Sequence, residues 1–172
     1  MAKSKRKSMG KMILSIITMI IGVLTFLPLV LNDWNGVSKA GSVSEVAEAG
    51  KFFDDYSAAE SLFKLGDSTL VTAMSTITGI AVIVGLCAAA LYIVFAIINM
   101  CGKGNKLCTT LCKVASIIML AAGAVALIAG LVFCIPTATV LGTSHSFTFG
   151  VGAYLAVALP VVAGVFGIAS TK

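Results

Sequence analysis

With 172 residues, 59% of them hydrophobic, only 11% charged, and a mean hydropathy of +1.07, the chain lacks the polar surface a soluble domain of this size requires. Soluble domains carry about a quarter charged residues. The formal charge of +5 combines separate basic segments with one acidic stretch, since all seven carboxylates fall between Asp33 and Asp67, so it gives no argument for nucleic-acid binding.

Residues 1–11 form a basic tail holding Lys3, Lys5, Arg6, Lys7 and Lys11. It reads as a topology signal, with attraction to anionic membrane lipid as the sharper alternative. The first apolar segment follows at 12–31, and three more fall within 68–99, 107–135 and 147–170. A helix needs roughly 20 such residues to cross a hydrocarbon core about 30 Å thick. Met12–Leu31, Leu70–Ile98, Val114–Ile135 and Phe147–Ala169 contain no Asp, Glu, Lys or Arg. Alternating-strand patterning is absent from these runs, so helices are expected and not a barrel. The first run exceeds the about 7–15 apolar residues of a signal peptide, and the nearest small-x-small site is Ser38-Lys39-Ala40, so it is expected to be a retained helix.

Lys and Arg are retained on the cytoplasmic side of a membrane. The tail and the segment with Lys103, Lys106 and Lys113 are basic, whereas the first loop sets Lys39, Lys51 and Lys64 against all seven carboxylates. Both termini and the turn at 100–106 are therefore expected to be cytoplasmic, and the loops at 32–67 and 136–146 external. The expected fold class is all-α: a polytopic four-transmembrane-helix bundle with a large, partly helical first external loop, in the plasma membrane.

Within that first loop, Ser42-Val43-Ser44-Glu45 and Ser57-Ala58-Ala59-Glu60 have capping-box spacing, which predicts one or two helices between Ser44 and Leu65. Val46, Ala49, Phe53, Tyr56, Ala59 and Phe63 fall on one side at helical spacing, with Glu60 intruding. Phe52, Phe53, Tyr56 and Phe63, together with Trp34 at the membrane interface, are the candidate partner or interface surface.

Each helix carries a stripe of small residues, which in lipid permits close backbone approach. Ser15, Thr18, Gly22 and Thr25 form the first; Ser75, Thr78, Ala81, Gly85 and Ala89 the second. Ala115, Ala122, Ala126 and Gly130 form the third, and Gly152, Ala156, Pro160 and Gly164 the fourth. Packing is the expected use of these residues, and a permeation path near Thr18, Thr25, Ser75 and Thr78 the alternative. Pro28 lies near one end of the first helix, while Pro160 is mid-helix and is expected to kink the fourth. The glycine-rich link Cys101–Lys106 predicts an antiparallel hairpin of helices two and three, and the neutral loop from Pro136 to about Ser146 an irregular turn.

Five cysteines contain no C-x-x-C spacing, which argues against a membrane disulfide oxidoreductase. Cys101, Cys108 and Cys112 gather near the cytoplasmic face; they read as small apolar residues, with S-acylation as the main alternative. No fourth ligand completes a zinc set with them. His145 stands alone in the third loop, and a Cys134–His145 nucleophile pair would lack an orienting third group. No phosphate-binding, dinucleotide or metalloprotease motif occurs, and no ionisable residue falls inside the apolar runs, which removes the usual basis for proton-coupled transport. No catalytic, cofactor-binding or metal-binding residue is expected.

The layout, with Leu27-Pro28 near the outer end of helix one and then Trp34, resembles the claudin-like tetraspan proteins. Their first-loop Gly-Leu-Trp and two cysteines are missing, so the resemblance assigns no role to any residue. The expected function is that of a non-enzymatic tetraspan membrane protein acting as a structural, assembly or accessory subunit through its first external loop. The alternative is a homo-oligomeric channel or uncoupled facilitator. Expected partners are membrane lipid and a second protein or further copies of the chain.

Overall fold

The computed structural model describes residues 2–29, 35–39, 69–102, 105–133, 137–140, 143–149 and 151–171. Four long helices make up most of it: α1 (Ala2–Leu24), α2 (Thr69–Met100), α3 (Lys106–Phe133) and α4 (Val151–Thr171). Four spans are long and apolar enough to cross a membrane: Met9–Leu29, formed by α1 and the turn after it, and Thr76–Met100, Lys106–Val132 and Val151–Thr171 within α2, α3 and α4. The shortest, at 21 residues, reaches about 30 Å at 1.5 Å per residue. The chain is thus a multi-pass membrane protein built on a four-helix bundle.

α1 stops where proline chemistry dictates. Pro28 has no N–H for the carbonyl of Leu24 and its ring crowds that carbonyl, so the chain tightens into a 3₁₀ turn at Leu27–Leu29. The backbone bonds record the change: Thr25 N–H still donates to Ile21 O at 3.0 Å, but Phe26 N–H donates to Val23 O at 3.1 Å and Leu29 N–H to Phe26 O at 3.2 Å. α4, by contrast, runs unbroken from Val151 to Thr171 through the buried Pro160.

Between α2 and α3 the reversal uses two local devices. Gly102 takes a positive φ of 73°, a left-handed conformation that ends α2 without the Cβ clash another residue would suffer. Asn105 then caps α3, its side-chain Oδ1 accepting the Cys108 N–H at 3.0 Å.

The helices form a closed ring in which α2 packs most extensively on α3, α3 on α4, α4 on α1 and, less tightly, α1 on α2. The interior is made of small side chains. Ala81, Val82, Leu86, Ala126, Ala153, Ala156 and Val157 form one core layer, and Ala88, Ala89, Tyr92, Ala96, Cys112, Ala115, Met119 and Ala163 the next. Large apolar residues such as Ile80, Leu91, Val94, Ile128 and Val165 face outward, the arrangement expected where lipid is the solvent.

A three-stranded antiparallel sheet, absent from the sequence-based expectation, lies on the chain segments at the opposite end from the α2–α3 turn. Its order is β1 (Asn35–Lys39), β3 (Thr143–Phe149), β2 (Thr137–Val140). The neutral segment expected to be an irregular turn is therefore a hairpin, with Val140 opposite Thr143, and Phe147–Phe149 belong to β3 while α4 starts at Val151. Thr143, His145, Phe147 and Phe149 alternate with Ser144, Ser146 and Thr148, a period-two pattern rich in β-formers. The predicted helices between Ser44 and Leu65 lie outside the described residues.

Candidate functional site

At the end of the bundle that carries the N-terminal segment, the α2–α3 turn and the end of α4, the four helices part around an open cleft of about 510 Å³. All four contribute. α1 supplies Lys11, Met12 and Ser15; α2 supplies Tyr92, Asn99 and Met100; Thr109 and Cys112 come from α3, Ser170 and Thr171 from α4.

Its floor is a chain of hydroxyls with a determined direction. Ser170 Oγ donates its one proton to Gly167 O at 2.8 Å, so in its 3.0 Å contact with Tyr92 it must accept. Tyr92 is therefore the donor there, and it in turn accepts from Ser15 Oγ across a long 3.4 Å. Three helices are joined through one phenol that is only 1% exposed. Below it, Ser116, fully buried, donates to Cys112 O at 2.8 Å.

The walls are held more loosely. Asn99 Nδ2 donates to Cys112 Sγ at 3.6 Å, a weak sulfur acceptor, and Thr109 Oγ1 donates to Asn105 O at 3.4 Å. No Asp or Glu occurs outside residues 33–67, so no carboxylate on these helices faces the cleft. Among the described residues no three His, Cys, Asp or Glu side chains group to hold a metal ion. The arrangement is thus a hydrogen-bonding concavity with a cation at its mouth.

No protein-family model matches the chain, and comparison with the curated proteins finds no similar sequence.

Residues singled out from sequence are distributed as follows. Thr18, Gly22, Thr25, Ala81, Gly85, Ala122, Ala126, Gly130, Gly152, Ala156 and Gly164 are all buried, and Ser15 is half-buried. Thr18, Thr25 and Thr78 donate to their own helix, at Leu14 O (2.8 Å), Gly22 O (2.6 Å) and Met74 O (2.8 Å). Of the three inner cysteines, Cys101 is exposed, whereas Cys108 and Cys112 are buried. Trp34, Phe52, Phe53, Tyr56 and Phe63, together with Cys134, lie outside the described residues.

Sequence reasoning missed Tyr92, Ser116, Ser170 and Gly167. Gly167 is where α4 meets α3 and α2 together: a Cβ there would strike Ser116 Oγ and lie 3.2 Å from Tyr92 Cε2. A signal was present, since Tyr92 is the one tyrosine in the α2 span and a buried phenol needs a polar partner.

Proposed function

We propose that this protein is a non-enzymatic tetraspan subunit of the plasma membrane, with both termini cytoplasmic, that serves assembly or accessory roles through an external platform. The observation that carries the proposal is the pairing of β1 with β3, from Asn35 opposite Phe149 to Lys39 opposite His145. It ties the start of the acidic first loop to the β2–β3 hairpin. The distribution of basic residues supports the orientation, because Lys and Arg cluster at the cleft end and the carboxylates in the loop.

The packed interior favours this reading over a channel or uncoupled facilitator. Ala89, Met119, Ala126 and Ala163 are 0% exposed at the centre of the ring. Of the four hydroxyls placed near a permeation path, Thr18, Thr25 and Thr78 are engaged with their own backbone, and the Ser75 side chain lies outside the described residues.

Deleting Ser42–Leu65 tests the proposal. The expected outcome is a protein that still inserts and purifies but loses any stoichiometric partner recovered with the full chain in mild detergent. Unchanged partner recovery, or ion flux through the purified full chain in liposomes, overturns it.

A further inference from the structure

We propose that the cleft at the terminal end of the bundle is a binding site for the phosphate-bearing headgroup of an anionic phospholipid, drawn from the leaflet that surrounds that end. Depth, charge and the state of the donors all point to this ligand.

The cleft lies at headgroup level. Lys11 is in the first turn of its membrane span, Thr109 is in the first turn of the α3 span, and Met100 and Thr171 are the last residues of theirs. A volume of about 510 Å³ falls within the roughly 300–1,000 Å³ of small-molecule sites.

The charge around it has one sign. Lys11 lines the cleft, and Lys106 and Lys113 are exposed on α3. No Asp or Glu lies on any of the four helices to offset them. An anion is the complementary ligand.

Two hydroxyl donors are held at the limit of hydrogen-bond length, Ser15 to Tyr92 and Thr109 to Asn105, both at 3.4 Å. Asn99 gives an N–H to a weak sulfur acceptor, and no second acceptor meets its amide among the described residues. Phosphate oxygens are better acceptors than any of these partners, and with Lys11 they would draw on all three.

The lip is apolar. Met12 on α1 and Met100 on α2, 50% and 45% exposed, both line the cleft, and their helices are the least tightly packed neighbours in the ring. Acyl chains leaving a bound headgroup would pass between them into lipid, which free phosphate has no use for.

The test is binding of soluble dioctanoyl phosphatidylglycerol to the purified full chain in neutral detergent, with dioctanoyl phosphatidylcholine and inorganic phosphate as the comparison arms. Saturable binding of phosphatidylglycerol is expected, at least tenfold tighter than phosphatidylcholine, with no competition from millimolar phosphate. Thr109→Trp, at an exposed position on the cleft wall, should weaken it tenfold or more by filling the space without changing charge. Lys11→Gln should weaken it severalfold, whereas Lys106→Gln with Lys113→Gln, outside the lining, should change it less than twofold. Equal binding of phosphatidylcholine, or affinity that Thr109→Trp leaves unchanged, overturns the site. Equal competition by inorganic phosphate keeps the phosphate chemistry and overturns the lipid as its source.

Discussion

Tyr92 illustrates what a single polar tip does inside an otherwise apolar bundle. Its ring fills the core layer formed with Met119 and Ala163, while its hydroxyl holds α1 and α4 to α2 through Ser15 and Ser170. A buried phenol without partners would be unfavourable, and here the direction of donation runs unbroken from Ser15 to the Gly167 carbonyl. Interhelical hydrogen bonds in membrane proteins contribute about 0.6 kcal/mol on average and less than about 2 kcal/mol at most. Tyr92→Phe keeps the ring and removes only the relay, so it should lower stability by about 1 kcal/mol in reversible unfolding in mixed detergent micelles. Unfolding of Tyr92→Phe indistinguishable from that of the unchanged chain would mean the relay holds nothing.

At the scale of the helix pair, α3 and α4 approach until backbone meets backbone. A Cβ on Gly164 would lie 2.8 Å from both Leu120 N and Ser116 O, and one on Gly123 would lie 3.2 Å from Val157 O. These neighbours are main-chain atoms and cannot swing aside. Gly164→Leu should therefore force the pair apart and destabilise the bundle by about 2 kcal/mol or more, the range of overpacked cores. A Cβ on Gly10 meets nothing within 4 Å, so Gly10→Leu should leave unfolding in micelles unchanged. If both variants unfold alike, close α3–α4 contact is not what holds the ring. The stripe containing Gly164 was legible from small residues at helical spacing; Gly123 and Gly167 were not. A helix wedged between two neighbours buries more than one stripe, so a single row of small residues marks only part of its contact face. Pro28 marked the end of α1 because its chemistry acts on a fixed partner, the carbonyl of Leu24, four residues back. The β2–β3 hairpin escaped notice for the opposite reason: Phe147 and Phe149 count as apolar in a hydropathy run, while only their alternation with Ser146 and Thr148 distinguishes strand from helix.

Taken as a whole, the molecule joins two segments far apart in sequence, one before α2 and one before α4, through the pairing of β1 with β3. Such pairing requires both segments on the same side of the membrane, which the two intervening crossings α2 and α3 satisfy. Hydropathy fixes the number of crossings but says nothing about which loops touch, so this feature was invisible to spacing and charge. The register is testable because side chains alternate faces: Val37 lies opposite Phe147, and a slip of one residue would turn every side chain to the other face. Cα atoms of directly opposed antiparallel residues stand about 4.5–5.5 Å apart, within disulfide reach. In a background with the native cysteines changed to serine, Val37→Cys with Phe147→Cys should form an intramolecular disulfide under mild oxidation, read as a gel shift reversed by reductant. Val37→Cys with Ser146→Cys points the two thiols to opposite faces and should remain reduced. Cross-linking of the second pair in preference to the first would shift the register by one. Cross-linking of neither would separate the first loop from the hairpin, and with it the platform on which the proposed accessory role depends.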